Sequence, residues 1–479
     1  MSAEFKLGAV ALAAGAELLS AGSRAEQELL RGVFTDTRAP APGGLFVALR
    51  GERYDGSAFA AEAVRAGAAA VLVQRGSADA TVAALAQTGA AVLVAPDTGR
   101  ALMNLARAWR GQMSSLRCVC ITGSTGKTST KELVASVLAE SGPTLKTEGN
   151  LNNEIGVPLT VLRLTREHRF AAVECGMNHL GEIARLASVA EPDVGLVTNV
   201  GPVHLEGCGS IDGVAYAKGE LFHSLGAGGV AVANADDPRV LAQARLSQRT
   251  IVTFGERANA DVRLVSAHHG GNGLQVILHF GGKDHALELH LLGAHNGHNA
   301  AAAAAVGLAL GLQAESVVRG LSRARTPGRR MRPVALEGGA LLIDDCYNAN
   351  PSSTKAALLT LAHLAKGTGR ASAVLGDMLE LGPTELELHR DVGRYAAGTE
   401  LSLLVCFGVR ARAIGEGAIE SGFDRTRLFF TEDPAEAARI IRDRPLAAGD
   451  TVLVKGSRGM KMERISDALA GEPPPAGAH

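Results

Sequence analysis

The segment Thr122-Gly-Ser-Thr-Gly-Lys-Thr-Ser129 restricts the fold more than any other part of the chain. It follows the apolar run Cys118-Val-Cys-Ile-Thr122 and precedes a helix-forming stretch over 131–139. A strand, a glycine-rich turn and a helix in that order bring backbone N–H groups together at a helix N-terminus, where they can hold an anion. Gly123 and Gly126 permit the tight turn, and Ser124, Thr125 and Ser129 complete the loop. Lys127 offers a cation to β- and γ-phosphates, and the Thr128 hydroxyl offers an oxygen to Mg²⁺. Ile121 stands where the longer phosphate-loop pattern has its first glycine, so this is the shorter G-x-x-G-K-T form. The loop predicts nucleoside triphosphate binding and leaves open what is done with the phosphates.

Around the loop, alternating strand and helix signals predict an α/β chain. At a rough 150 residues per domain, 479 residues make about three. Residues 1–98 alternate short apolar strands (45–49, 70–73, 91–94) with alanine-rich helices, and Leu7 to Ala16 reads as an amphipathic helix of a soluble domain. Residues 99–322 carry the loop and strands at 170–173, 194–198, 229–233 and 251–254, predicting a mostly parallel sheet with an antiparallel edge over 261–292. Residues 323–470 repeat the alternation, with strands at 340–343, 372–375, 403–407, 427–430 and 451–454, as in a second doubly wound, Rossmann-like domain. The proline-rich tail 471–479 is expected to be disordered.

Lys+Arg 48 against Asp+Glu 49 gives no electrostatic reason for a nucleic-acid or membrane-surface partner. No apolar run approaches the ~18 residues of a membrane span. The six cysteines form no Cys-x-x-Cys pair, and Cys118 and Cys120 read as small buried hydrophobes on one strand face. Sparse reduced thiols point to a cytoplasmic protein.

Ligands of open α/β sheets bind beyond the carboxyl ends of the strands. Glu174 ends the strand at 170–173, and His204 follows the strand at 194–200, so both are candidate metal ligands near the loop. His204 alone reads equally as a hydrogen-bonded loop histidine, and Lys218 reads as a solvated helix lysine. Asp344-Asp-Cys-Tyr-Asn-Ala-Asn-Pro351 follows the strand at 340–343, and Lys455-Gly-Ser-Arg458 the strand at 451–454. The first suits ribose, adenine or peptide contacts or is an Asx-rich turn; the second suits a carboxylate or phosphate. Arg329 lies just past the second domain boundary, as a cation for the phosphates or a plain surface arginine.

In this order and spacing, these segments resemble the Mur ligase family over nearly the whole chain. The further matching segments are Thr35-Asp-Thr-Arg38, Tyr54-Asp-Gly56, Gly149-Asn-Leu-Asn-Asn-Glu-Ile-Gly156, Ala217-Lys-Gly-Glu220, His295-Asn-Gly-His-Asn-Ala300 and Leu375-Gly-Asp-Met-Leu-Glu-Leu-Gly382. The segment 344–351 resembles the members that add D-Ala-D-Ala to UDP-muramoyl-tripeptide; tripeptide-forming members usually show Asp-Tyr-Ala-His-x-Pro there.

The resemblance implies an ATP-dependent amide ligase working through an acyl phosphate, and a monomer whose partners are small-molecule substrates. Lys127, Glu174, His204 and Lys218 would be catalytic. Thr128, Glu174, His204 and Lys218, the last carbamylated by CO₂, would hold two Mg²⁺. The phosphate loop, Asn296, Asn299, Arg329 and Asp345 would bind ATP. Thr35, Asp36, Thr37, Arg38, Arg50, Asp55 and Gly56 would bind the UDP-substrate. Asn348, Asn350, Lys455, Ser457 and Arg458 would complete the site from the C-terminal side. Thr37 replaces the commoner Ser and Ser57 the common His, and Arg330 is an extra cation beside Arg329, whose role it could exchange. Rival readings are another amide ligase of the superfamily and a P-loop ATPase or switch that makes no amide bond.

Overall fold

The computed structural model describes residues 3–20, 27–51, 55–85, 87–270, 273–325 and 328–471. Tyr54 and residues 472–479, nearly all of the tail expected to be disordered, lie outside the described residues. Among the described residues the main strands build three sheets. The first has five strands in the spatial order Glu17–Ser20, Ala91–Ala95, Ala70–Gln74, Leu45–Val47, Val33–Phe34, parallel except at the Glu17–Ser20 edge. The second has nine, in the order Lys283–Leu289, Gly273–Phe280, Val262–Gly270, Thr250–Gly255, Val230–Asn234, Val194–Val197, Arg117–Thr122, Phe170–Glu174, Thr144–Lys146. Its last seven strands are parallel and its first three form an antiparallel meander, the edge predicted over 261–292. The third has six: Arg332–Ala335, Leu341–Asp345, Thr451–Lys455, Ala371–Gly376, Leu403–Phe407 and Leu428–Thr431, antiparallel only at the first pair. No helix among the described residues is long and apolar enough to cross a membrane.

The strand Arg117–Thr122 shows why a continuous apolar run forms a central strand: both of its faces are covered. Cys118 and Cys120 join one core and Val119 and Ile121 the other. Both thiols are buried, as the sequence predicted. The helix His295–Ala309 is packed on all sides, with Ala300 to Ala305 at 0% exposure, because side chains of one carbon let it lie close against the sheet and the helix Lys127–Ala139. The helix Pro351–Ala365 starts at Asn350, whose side chain and that of Ser353 cap each other's backbone N–H, with Pro351 at the first turn.

One apolar core runs without a break from Phe5, Leu7 and Leu93 through Leu102 and Trp109 to Cys120, Val173, Leu186 and Phe222, joining the first two sheets. The helix Thr98–Arg110 is its hinge-pin: Trp109 Nε1 donates to the Leu164 carbonyl at 3.0 Å, and Arg110 donates to the carbonyls of Ala190 and Glu191. The third sheet instead carries its own two cores, one on each face.

Asp450 ties together two turns at the amino ends of that third sheet. Its carboxylate accepts from the backbone N–H groups of Arg370 (2.7 Å) and Ala447 (3.0 Å) and from the Arg370 guanidinium (2.6 Å). The side-chain hydrogen bonds from Arg370 hold its carboxyl down at about 2. A carboxyl with a folded value below its unfolded ~3.9 stabilises fully above about pH 4, and that stabilisation is lost as the pH falls through the folded value. Asp450→Asn is therefore expected to cost about 2 kcal/mol at pH 7 and progressively less toward pH 2. Denaturant unfolding of both proteins at several pH values checks this; a gap independent of pH would refute it.

Candidate functional site

A cavity of ≈ 650 Å³ opens at the carboxyl ends of the parallel strands of the nine-stranded sheet. Ser124 to Ser129, Glu174, His204 and Lys218 line it on one side; Arg330, Asp345, Asn348, Asn350, Lys455 and Arg458 face them from the third sheet.

The phosphate loop takes its shape from two glycines. Gly123 has φ +150°, and a Cβ there would lie 1.9 Å from Thr198 Oγ1; Gly126 has φ +79°, and a Cβ would meet Asn299 Oδ1 at 2.6 Å. Both the backbone conformation and the neighbours exclude a side chain. The helix begins at Lys127, four residues earlier than the apolar pattern suggested, so the loop residues themselves form its N-terminus. Residues after the strand Val194–Val197 brace the loop. Thr198 Oγ1 donates to the Thr125 carbonyl (2.7 Å), and Thr125 N–H donates to Asn199 Oδ1 (2.9 Å). Gly201 N–H donates to Ser124 Oγ (2.7 Å). The signal for Asn199, a polar residue at a strand's carboxyl end, was present in the sequence and was missed.

Glu174, 2% exposed, ends its strand as predicted. One carboxylate oxygen accepts from Thr128 Oγ1 at 2.9 Å and the other from Asn152 Nδ2 at 2.8 Å. Asn152 belongs to the quoted segment 149–156, to which the sequence assigned no role. His204 sits at φ +53°. Burial, with the positive charges of Lys218 and Lys127 adding to it, pushes its imidazole down to about 4, so it is a neutral lone-pair donor at pH 7. Lys218 is 1% exposed, on the helix Ile211–His223, which is packed against the helices Glu182–Ala190 and Pro238–Leu246. The reading as a solvated helix lysine is overturned. Burial and then Lys127 drive its ammonium well below the ordinary lysine range. Burial likewise lowers Lys127, opposed by Glu174 and reinforced by Arg330; its Nζ donates to the Gly123 carbonyl at 2.7 Å. Asn296 and Asn299 line the cavity at its buried end, where Asn299 Nδ2 donates to Asn296 Oδ1 at 2.8 Å and Thr130 Oγ1 donates to Asn299 Oδ1 at 3.1 Å.

On the opposite wall the strands run further than predicted: Asp344 and Asp345 lie inside Leu341–Asp345, and Lys455 inside Thr451–Lys455. Successive strand residues point to opposite faces, so the acidic pair divides. Asp345 lines the cavity, accepting from Lys455 Nζ (2.6 Å) and from Met331 N–H (3.1 Å). Asp344 turns inward, at 0% exposure, onto Arg329 and Arg332. The arginines divide in the same way. Arg329 does not line the cavity; its guanidinium bridges Asp344 (3.1 Å) and Asp467 (2.6 Å). Arg330 lines it instead, with its guanidinium 3.9 Å from the centre of the Tyr347 ring.

Ser457 is not among the residues lining the cavity. It is buried away from the cavity, accepting from Leu379 N–H (2.9 Å) and donating to the Ala349 carbonyl (3.3 Å), so it joins loops rather than meeting a ligand. Asn348 and Asn350 line the cavity, although the Asn350 side chain is spent on the helix cap. Arg458 lines it beside Glu463, its ion-pair partner at 3.0 Å.

None of the seven N-terminal candidates lines this cavity. They lie at the carboxyl ends of two neighbouring parallel strands of the first sheet. Thr35, Asp36, Thr37 and Arg38 follow Val33–Phe34; Arg50, Asp55 and Gly56 follow Leu45–Val47, with Arg50 and Asp55 paired across a backbone bridge. The Arg38 side chain holds the Asp36 carboxyl down at about 2. Asp55 accepts from Ser57 N–H (2.9 Å) and Ser77 Oγ (2.7 Å).

Among the described residues no group of three or more His, Cys, Asp or Glu is arranged to hold a metal by itself. The Thr128 hydroxyl and Glu174 carboxylate nevertheless suit Mg²⁺, which keeps waters and takes one or two carboxylates together with substrate phosphates.

Comparison with known proteins agrees with this layout. Residues 30–110 match the Mur ligase family catalytic domain, 121–307 the Mur ligase middle domain, and 329–458 the Mur ligase glutamate ligase domain. The UDP-N-acetylmuramoyl-tripeptide–D-alanyl-D-alanine ligase of Escherichia coli K12 is 39% identical over 444 residues, 92% of this chain and 94% of that one. Its counterpart from Bacillus subtilis is 36% identical over 94% and 95%. The crystal structure of MurF from Acinetobacter baumannii superposes with a TM-score of 0.87 at 32% identity, covering 98% of this chain and all of that one. A MurF ligase from Thermotoga maritima in complex with ADP gives 0.81 at 27% identity, covering 92% and 97%. The chain belongs to the Mur ligase family.

Proposed function

We propose that the chain joins D-Ala-D-Ala to UDP-N-acetylmuramoyl-tripeptide with cleavage of ATP to ADP and phosphate, forming the UDP-pentapeptide of peptidoglycan synthesis. The observation that carries this reading is one cavity in which Lys127, Thr128 and Glu174 face Asp345, Asn348, Lys455 and Arg458, with relatives of that activity matching along almost the whole chain. The proposed units are 1–98 for the UDP-substrate, 99–322 for ATP and 323–470 for the incoming dipeptide and the nucleotide. A cytoplasmic location fits the buried free thiols.

A carboxylate is a poor acyl donor and must be activated. In the proposed sequence a terminal carboxylate oxygen of the tripeptide attacks the γ-phosphorus of ATP, breaking the bond to the bridging oxygen and leaving ADP. The amine of D-Ala-D-Ala adds to the acyl phosphate carbon, and the tetrahedral intermediate expels phosphate. Lys127 and the N–H groups of the loop stabilise charge on the transferring group. Arg330 approaches the same phosphates from the other wall, and Lys455, fixed by Asp345, offers a cation to a carboxylate. Closure of the cavity keeps water from the acyl phosphate. Thr128, Glu174 and His204 would hold Mg²⁺, which would supply positive charge against the phosphates. Lys218 fits a second Mg²⁺ only as its carbamate.

Phosphate release from ATP in the presence of UDP-muramoyl-tripeptide, with and without D-Ala-D-Ala, tests the reading. Release that depends on the dipeptide, with a UDP-pentapeptide identified by mass spectrometry, is expected. Folded, ATP-binding protein that yields no product with either the diaminopimelate or the lysine tripeptide would refute it.

The division of the two arginines gives a further expectation. Arg330→Ala should slow turnover roughly 10²-fold with little change in melting temperature, as for loss of one charge-stabilising donor. Arg329→Ala should leave turnover nearly intact but cost about 3 kcal/mol of stability, because buried Asp344 and Asp467 lose their partner. Paired kinetic and thermal measurements showing the reverse pattern would return the phosphate role to Arg329.

A further inference from the structure

Lys131 is a charged side chain buried outside the cavity wall, 1% exposed and one helical turn beyond Lys127. Burying an ammonium is costly, and an apolar chain of similar length would fill the space more cheaply. Its contacts show what it holds. Nζ pairs with Glu132 Oε1 at 2.6 Å and donates to the Thr147 carbonyl at 2.7 Å; Glu132 pairs in turn with Lys146.

Thr147 opens the loop from the strand Thr144–Lys146 into the cavity. Its backbone N–H donates to the Ala172 carbonyl at 3.0 Å, and its hydroxyl accepts from the backbone N–H of Glu174 at 3.0 Å. Five residues on, the same loop supplies Asn152, which donates to the Glu174 carboxylate and whose carbonyl accepts from Gly176 N–H at 2.8 Å. Glu174 is thus held by its backbone through Thr147 and by its carboxylate through Asn152 and Thr128. Thr128 and Lys131 share a helix, so a strut from Lys131 to Thr147 sets the spacing between the Thr128 hydroxyl and the Glu174 carboxylate.

We infer that Lys131 and Thr147 are positioning residues that hold Glu174 in register with the phosphate loop for a nucleotide-bound divalent cation. This rests on the proposed role of Glu174, which no contact of Lys131 with substrate is needed to support. Outer partners of metal ligands typically account for 10–100-fold in metal affinity.

The test uses Mn²⁺ as a spin probe, titrated by electron paramagnetic resonance into the full-length protein saturated with ADP. Thr147→Val removes the acceptor at nearly constant volume, Thr147→Ser retains it, and Lys131→Met removes the strut. Thr147→Val and Lys131→Met are expected to bind Mn²⁺ at least about 10-fold more weakly, Thr147→Ser like the wild type, and all three to keep wild-type affinity for the UDP-substrate. Should Lys131→Met fail to fold, Lys131→Gln takes its place, while the two threonine variants decide for Thr147. Wild-type Mn²⁺ affinity in folded Thr147→Val, or equal weakening in Thr147→Ser, would overturn the inference. A wild type that binds no Mn²⁺ with ADP would overturn the functional reading itself.

Discussion

Lys127→Ala is expected to lower ATP-dependent product formation by about 10³-fold while leaving affinity for the UDP-substrate unchanged. The size of the effect follows from where charge develops. In the proposed reaction the transferring phosphoryl group would carry its charge on oxygens facing the loop, and Lys127 stands at the head of the helix that follows it. The selectivity follows from the layout, since none of Thr35, Asp36, Thr37, Arg38, Arg50, Asp55 or Gly56 lines the cavity. The variant should fold, because the one hydrogen bond lost, to the Gly123 carbonyl, is worth about 1 kcal/mol. Calorimetric titration with the UDP-substrate beside a phosphate-release assay reads both quantities. Loss of UDP-substrate binding in folded protein would contradict the separation of the two sites.

Lys218→Ala is expected to be comparably inactive and to regain part of its activity with a short-chain carboxylic acid. Among the described residues no acidic side chain pairs with Lys218, and Lys127 adds positive charge beside it. An ammonium is badly placed there, whereas a neutral amine can attack the carbon of CO₂ and release a proton, leaving an N-carboxylate. The product is an anion in a pocket short of negative charge, able to support a cation near His204. Acetate or formate can supply the missing carboxylate in the space the lysine vacates. The prediction has two readings: rescue of the alanine variant, and loss of wild-type activity on removal of dissolved CO₂. Folded Lys218→Ala that no carboxylic acid restores, beside a wild type indifferent to CO₂, would remove the basis for the carbamate.

The parts legible in the sequence were those with a strong local cause. The phosphate loop declared itself because glycines, a lysine and a threonine stand between a strand and a helix. Glu174 declared itself because a carboxylate at the end of an apolar strand is costly unless it is used. Lys218 was illegible because its burial comes from helices at 182–190 and 238–246 that pack around it, and no pattern within 211–223 records them. Arg329 and Arg330 were indistinguishable because adjacent residues differ only in the side to which the backbone turns them. That choice is settled by Asp467, 138 positions away. Strand ends were placed short at Asp345 and Lys455 because charged residues read as loop; in the fold the two charges neutralise each other across neighbouring strands.

The core that passes unbroken from Phe5 through Trp109 to Phe222 limits how the molecule can be recombined with its relatives. A chimera joined between residues 98 and 117 would press two unmatched halves of one apolar interior together, and should emerge insoluble or with a lowered, broadened melting transition. A chimera joined near residue 328 cuts where each side keeps its own interior, and should fold as well as its parents. Exchange of substrate preference by grafting is therefore open from the carboxyl side, while the amino-terminal unit must travel together with the sheet beneath it.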